Sequence, residues 1–378
     1  MREKEISSLK KIIIIGGGLA GLITAVKLID AGIPCTVIEK KSFPFHRVCG
    51  EYVSNEAAPF LKNNGLFPVD IDHSNINTLL LSSTQGKSVT IPLAMGGFGI
   101  SRYAFDDFIY REALRRGVTF MLNTEVSSVQ FNEDQFVLKA GHETLVADVV
   151  VGAFGKRSRL DVSMQRAFTR HRSPYVGVKY HVRINHQPNV IGLHNFQGGY
   201  CGISNIEEGK TNLCYLTHRD QLKRFGNIPQ FQEAILWENP YLKNIFNEAE
   251  FLFHAPETIN EITFETKSVV EDHLLMTGDA AGMITPLCGN GMAMAIHSAK
   301  LLSELLIRFV HDHRFTREKL EHSYEEAWRK HFAMRLWRGR HIQRLFGHPW
   351  ASSFAVSLAR GSAPVAKQLV RMTHGENF

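Results

Sequence analysis

The chain of 378 residues contains no apolar run long enough to cross a bilayer as a helix. Its first eleven residues are mostly polar and charged, and the apolar run at 12–15 is too short for a signal-peptide core. No secretory leader is therefore expected. The five cysteines (35, 49, 201, 214 and 288) form no C-x-x-C pair and no zinc spacing, and the 18 histidines show no H-E-x-x-H. These absences argue against a disulfide scaffold and against a metal centre, and they favour a reducing, cytoplasmic setting. There are no internal repeats and no low-complexity tracts. Charged residues make up only 21% and apolar residues 44%, the balance of an ordinary globular enzyme. A chain this long buries a large core and divides into two domains.

Acidic residues are nearly missing from the last fifty positions. From Trp328 onward there are nine Lys/Arg (329, 330, 335, 338, 340, 344, 360, 367, 371) and one acid, Glu376, so this segment carries +8 of formal charge. No nucleic-acid recognition motif accompanies it. Trp328, Phe332, Leu336 and Trp337 interleave with these cations. Two readings stay open: a helix packed on the body with a charged outer face, or peripheral contact with a membrane.

What is present in strength is Ile12-Ile13-Ile14-Ile15-Gly16-Gly17-Gly18-Leu19-Ala20-Gly21. Four β-branched residues read as a buried parallel strand, and Gly16, Gly18 and Gly21 follow it with G-x-G-x-x-G spacing. Leu22 to Ala31 carries a helical pattern that Gly32 ends, and Cys35 to Glu39 reads as a second strand ending in an acid. In such a βαβ unit the glycines turn the chain, admit a pyrophosphate and let helix and strand pack closely. Glu39, 23 residues after Gly16, is placed to hydrogen-bond a ribose hydroxyl. A carboxylate there disfavours a 2′-phosphate.

Further along, Pro44 and Gly50 bracket a loop containing Arg47, Cys49 and Glu51. Arg47 faces a phosphate or the cofactor's ring edge, or is solvated, and Cys49 is either redox-active or a small buried side chain. Residues 55–64 read as helical, and Asn75 to Ile91 as strands. Met95 to Ile100 reads as a turn with close backbone approach. Ser101 opens a helix to about Arg116. Val118–Met121, Glu125–Phe131 and Gln135–Ala140 suit a β-meander. Ala147 to Gly155 is another apolar strand ending in glycine. Residues 165–265 are dominated by short β-like runs, with one helix expected at Gln230–Trp237. Leu274–Thr277 is a buried strand that runs into Gly278-Asp279. Gly289-Asn290-Gly291 precedes a helix from Met292 to Phe309. Residues 316–378 read as helices broken at 347–349 and 361–364. Tyr52 and Tyr200 are either packing or pocket residues.

The pairing of Gly16–Gly21 with Gly278-Asp279 and Gly289-Asn290-Gly291 resembles the flavoprotein hydroxylase superfamily. That superfamily includes p-hydroxybenzoate hydroxylase, the geranylgeranyl reductases and the flavin-dependent halogenases. The resemblance covers most of residues 10–310. It implies an α/β fold: a Rossmann-like FAD-binding domain of the p-hydroxybenzoate hydroxylase type, an inserted β-rich substrate domain and a helical C-terminal region. The FAD-binding domain would comprise 1–70, 100–165 and 268–312, the substrate domain 71–99 and 166–267, and the helical region 313–378. By the same resemblance Gly16, Gly18, Leu19, Ala20 and Gly21 hold the FAD diphosphate. Glu39, with Lys40 beside it, takes the adenosine ribose, and the backbone of Val126 the adenine. Gly278-Asp279 takes the ribityl chain. Arg47-Val48-Cys49-Gly50-Glu51 is similar to the R-x-C-G-E element of geranylgeranyl-reductase-like proteins, whose arginine lies beside FAD. Arg102 matches a second arginine near the cofactor. Gly289, Asn290, Gly291 and Met292 present a helix N-terminus to the flavin.

Two departures narrow the reading. Phe154-Gly155 stands where the family usually has D-G, which leaves Gly155 but removes a carboxylate. Gly199–Ser204 lacks the tryptophans of the halogenases. The resemblance implies FAD as cofactor and a small apolar substrate; either NAD(P)H docks transiently as reductant or electrons come from another donor. The first expectation is a monooxygenase or oxidase acting on an apolar aromatic or polyketide-like substrate via reduced flavin. The alternatives are a flavoenzyme reducing isoprenoid C=C bonds and a non-catalytic flavin-binding protein. The compartment expected is cytoplasmic, or peripheral to a membrane.

Overall fold

A computed structural model describes residues 10–286, 289–345, 349–362, 364 and 375–378. Leu287, Cys288, the expected break at 347–348, and the basic residues Lys367 and Arg371 lie outside the described residues. Strand β1 (Ile12–Ile15), helix α1 (Leu19–Asp30) and strand β2 (Cys35–Ile38) form the βαβ unit. The helix begins three residues earlier than its apolar pattern suggests. Gly18 is its extended N-cap, and Leu19 and Ala20 are buried in its first turn.

β3 (Tyr52–Ser54), α2 (Ala58–Asn63), β4 (Ser74–Ser82), β5 (Ser88–Gly99) and α3 (Arg102–Arg115) follow. Ser101 caps α3 by accepting a hydrogen bond from the Ala104 amide at 3.0 Å. Next come β6 (Thr119–Met121), β7 (Val126–Asn132), β8 (Gln135–Ala140), β9 (Glu143–Ala147), β10 (Val149–Gly152) and α4 (Arg159–Ser163). The chain continues through β11 (Tyr175–Arg183), β12 (Val190–Phe196), β13 (Gly199–Asn205) and β14 (Thr211–His218). Three short helices follow: α5 (Arg219–Arg224), α6 (Ile228–Ile235) and α7 (Pro240–Glu248). β15 (Glu250–Phe251), β16 (Glu257–Ile262), β17 (Val270–Glu271) and β18 (Leu274–Met276) lead to helices α8 (Gly291–His311), α9 (Arg317–Leu345) and α10 (Pro349–Gly361).

The first sheet has the order β17-β18-β10-β1-β2-β6, and only the edge strand β17 runs antiparallel to its neighbour. Ile12 to Ile15 are at most 5% exposed, as a central strand covered on both faces requires. Leu22, Ile23 and Val26 of α1 and Ile296, Leu302 and Leu306 of α8 belong to the same core. The expected meander needs correcting. β6 follows the crossover helix α3 and therefore lies parallel to β2, with Thr36 opposite Thr119. Asn123, at φ +52°, redirects the chain, and the three-stranded meander is β7-β8-β9.

The second sheet is larger, with the order β15-β11-β14-β13-β12-β4-β5-β3 and β16 on β11. It draws β3 from the stretch before residue 70. Met95–Gly99 is not a turn but the end of β5, bulged at Gly96 (φ +65°) opposite a register shift between Ile76 and Thr78. The close approach read there is present: a side chain on Gly99 would strike the Asn205 carbonyl. Two helices in 165–265 were not expected: α5, only six residues long, and α7, which opens on Pro240.

The strands of this sheet alternate cleanly. Val178, Tyr180, Val182, Ile203 and Tyr215 pack on Phe231, Leu236 and Leu242 around α6 and α7. The opposite face carries Lys179, His181, Asn212 and Cys214 on one part. Leu79, Ile191, Leu193, Tyr200 and Leu216 occupy the rest. α9 packs through Leu320, Tyr324, Trp328, Phe332 and Leu336 into the core of the first sheet, and the Tyr324 hydroxyl donates to the Met276 carbonyl at 2.7 Å. Of the two readings of that helix, body packing describes this face.

Candidate functional site

β1 ends in the glycine loop, and its geometry excludes side chains at two places. Gly16 has φ +108°, and a Cβ there would meet the Ala153 carbonyl; a Cβ on Gly21 would meet the Gly16 carbonyl. Gly18 lies under two guanidinium groups: its Cβ position is 3.5 Å from Arg102 Nη2 and 4.0 Å from Arg47 Nη2. Asp106, one turn into α3, holds both. Arg102 donates to it from Nε at 2.6 Å and from Nη2 at 2.7 Å, and Arg47 from Nε at 3.1 Å. Two fixed cations thus overhang the N-terminus of α1, an arrangement suited to a diphosphate.

Glu39 stands at the end of β2, 5% exposed. Its Oε2 accepts the Gly17 amide at 2.8 Å and faces Arg47 Nη2 at 3.4 Å, while Oε1 accepts the Lys41 amide at 3.1 Å. The Thr124 amide donates to the Glu39 carbonyl at 3.0 Å, which brings the start of β7, and Val126, to the same end of the sheet. Lys40 is exposed and, among the described residues, shares no hydrogen bond with this group.

β10 and β18 deliver the other half. Gly155 follows β10 at φ +83°, with nothing within 4 Å of its Cβ position. After β18, the Cβ position of Gly278 is 2.9 Å from Ala20 Cβ, which joins the second motif to the first. Lys267 Nζ donates to the Asp279 carbonyl at 2.7 Å and to the Lys156 carbonyl at 2.6 Å. Burial pushes the Asp279 carboxyl up, opposed by Lys267, Arg102, Lys156 and Arg47. Burial also lowers the Lys156 ammonium to about 7 and that of Lys267 to about 8, and Asp279 opposes both shifts. Several cations therefore converge on one carboxylate beside the glycine loop.

Gly289, Asn290, Gly291 and Met292 form the entry to α8, with Asn290 at the cap position. The Gly278 amide donates to Ser298 Oγ of this helix at 2.9 Å. A narrow cleft lies here among Gly278, Asp279, Gly282, Gly291 and Ser298, with Trp328 of α9 on its wall. On the other side of the entry, the Tyr52 ring stands 3.2 Å from the Cβ position of Gly289. Tyr52 is buried, and burial raises its hydroxyl above the usual range.

The 47–51 loop contains what the sequence reading missed. Glu51 is fully buried with φ +54°. It accepts from Lys179 Nζ at 2.5 Å and from the Arg102 amide at 2.8 Å, and it pairs with His181 Nε2 at 2.7 Å. Burial pushes its carboxyl up, but Lys179 and His181 outweigh that and hold it below the ordinary range. Asn212 donates to the Cys49 carbonyl at 3.2 Å, and Lys179 to the Arg47 carbonyl at 3.1 Å. The half-buried Cys49 sits beside this network, and burial raises its thiol. The network fastens the arginine-bearing loop to β11 and β14. One signal was legible: Lys179 and His181 alternate with Val178, Tyr180 and Val182, so that strand has a polar face that must be buried against a partner. Asp106, Lys156 and Lys267 carried no comparable signal. Among the described residues no group of three metal-ligating side chains gathers.

Comparison with known proteins agrees with this geometry. A family model described as FAD binding domain matches residues 10–339. A digeranylgeranylglycerophospholipid reductase of Methanosarcina acetivorans is 26% identical over 84% of this chain and 80% of its own. The FAD-dependent monooxygenase adrH of Penicillium rubens is 24% identical over 80% of this chain and 69% of its own. The solved structure of a geranylgeranyl bacteriochlorophyll reductase-like protein from Thermoplasma acidophilum superposes with a TM-score of 0.79 at 15% identity, covering 98% of this chain and 97% of that one. The cofactor is FAD, and the glycine loop, the overhanging arginines and the dipole of α8 fit it.

Proposed function

The chain belongs to the FAD-binding-domain family, and from that premise we propose that this flavoenzyme reduces C=C bonds in an isoprenoid or similarly long apolar chain. The observation that carries the reading is the inner face of the large sheet. Leu79 and Ile191 form one apolar cluster on it and Leu193, Tyr200 and Leu216 another, with Ser204 opposite Ile191 and Asn195 opposite Tyr200. The nearest cation on that face, Lys179, is already neutralised by Glu51. Such a face offers no anchor for a small aromatic acid and suits a chain held by contact alone. The archaeal reductase among the relatives supports the same class.

In this reading Gly16, Gly18, Gly21, Arg47 and Arg102 hold the diphosphate, Glu39 the adenosine ribose and Asp279 the ribityl chain. Bound and reduced, FAD would supply the hydride for one alkene carbon, and water would supply the proton for the other. The protein's share is placement and dryness: α8 directs its positive end at the flavin edge where negative charge gathers. NAD(P)H is the reductant, docking transiently. A monooxygenase acting on an apolar aromatic or polyketide-like substrate is the second reading, favoured by the likeness to adrH. Oxygen separates them. The reductase turns over polyprenyl substrate under anaerobic conditions with NAD(P)H or dithionite. A monooxygenase stops without oxygen and adds an oxygen atom to its product. Failure of the purified, FAD-loaded protein to cycle its flavin with any donor would leave a binding protein and remove both.

A further inference from the structure

Tyr52 on β3 is a polar side chain with no task in the site so far. It is 5% exposed, and its hydroxyl is buried without a hydrogen-bond partner among the described residues. Two glycines shape the slot that holds its ring. Cζ and Cε2 lie 2.5 Å from the Cβ position of Gly97 on β5, so any side chain there would expel the ring. Cδ1 and Cε1 lie 3.2 and 3.4 Å from the Cβ position of Gly289, at the entry to α8. The side chains clustered with the ring are apolar: Ile76 and Leu93, with Leu79 and Ile191 beside them. Burial raises the phenol above its ordinary range, and the Glu56 carboxylate adds to that rise. The group therefore keeps its proton and can donate it to a hydrogen bond.

A buried hydroxyl with no partner destabilises a fold, and phenylalanine would fill the same slot without that cost. The hydroxyl thus serves something the chain binds. The ring edge stands against Gly289, two residues before Gly291 opens the 21-residue helix α8. We propose that the Tyr52 hydroxyl donates a hydrogen bond to the pyrimidine edge of the bound flavin, beside the N-terminus of α8, and holds the reduced ring more tightly than the oxidised one. Negative charge gathers at that edge on reduction, and a fixed donor in a buried site stabilises it more than water would. Tyr52 then adds to the dipole of α8 and raises the potential at which FAD accepts two electrons. The inference rests on FAD lying at the α8 entry and on no particular substrate.

The test is the two-electron potential of the full-length, FAD-loaded protein, measured anaerobically against a reference dye. Three proteins are compared: wild type, Tyr52→Phe and Tyr52→3-fluorotyrosine, the last with a more acidic phenol that donates more strongly. In Tyr52→Phe the reduced flavin should be held about tenfold more weakly relative to the oxidised, which lowers the potential by about 30 mV. Tyr52→3-fluorotyrosine should raise the potential above that of the wild type. The flavin absorbance bands should shift in both variants while the melting temperature stays near native. A packing role moves neither potential, because both variants fill the slot. Equal potentials, or any order other than Phe below Tyr below fluorotyrosine, overturn the proposal. If Tyr52→Phe does not retain FAD, the fluorinated protein decides alone: a raised potential supports the proposal and an unchanged one overturns it. The potential is read with no lipid present, so this inference can fail while reduction of an isoprenoid chain stands, and the reverse.

Discussion

At the scale of single residues the site depends on two buried carboxylates that the cofactor need not touch. Glu51 faces Lys179 and His181 with none of the three open to solvent. Glu51→Gln leaves the Lys179 ammonium buried without its counter-charge, and urea denaturation should show a loss of about 3–5 kcal/mol. Adding Lys179→Met should recover most of that loss, because the uncompensated charge goes with it. The pH dependence follows from the direction of the Glu51 shift. Its folded value lies below its unfolded one, so its contribution is complete above about 4.3 and is lost as pH falls through the lower folded value. In melting experiments the acid limb should be shallower in Glu51→Gln than in the wild type. Asp106 does the matching work for Arg47 and Arg102. Asp106→Ala frees both guanidinium groups from the geometry that overhangs Gly18, and titration should find FAD bound about tenfold to a hundredfold more weakly. A dissociation constant within twofold of the wild type would show that Asp106 positions neither. The sequence named Arg47 and Arg102 because a motif contained them. It could not name Asp106, whose role exists only once α3 is brought to the same loop, and for Lys179 it offered only a polar face of β11 without a partner.

At the scale of elements, β1, α1 and β2 were readable because every layer of information agrees there: a β-branched run, fixed glycine spacing and a helical apolar stripe. Gly21 shows why the spacing is strict. It sits inside α1, where its missing Cβ lets the helix approach the Gly16 carbonyl. Gly21→Val should force the two apart, and the purified protein should come off the column without flavin while its circular dichroism stays near native. Retained flavin at wild-type occupancy would contradict the role given to this packing. β5 misled for the opposite reason. Its glycines signalled a turn, whereas they are there to let β3 and the end of β13 come close. β6 misled because a three-residue strand cannot announce which sheet it joins; that is decided by the crossover through α3.

At the scale of the whole molecule, two sheets meet along the 47–51 loop and the entry to α8, and the cofactor's expected course follows that meeting line. Ligand that binds only the folded state stabilises it, by about 2.7 kcal/mol at a concentration a hundredfold over its dissociation constant. FAD added to apoprotein should therefore raise the melting temperature, and Asp106→Ala should blunt the rise at equal FAD. The larger sheet was legible as a β-rich region but not as a surface with two characters, since its alternation gains meaning only when α6 and α7 cover one side.

The most direct measurement is a single turnover without oxygen. FAD-loaded protein, chemically reduced and freed of excess reductant, is mixed anaerobically with a polyprenyl lipid while flavin absorbance is followed and the lipid is then weighed by mass spectrometry. The account predicts that the flavin reoxidises and that the lipid gains two hydrogens in equal amount. Flavin that stays reduced until oxygen enters, with oxygen then appearing in the product, would contradict it.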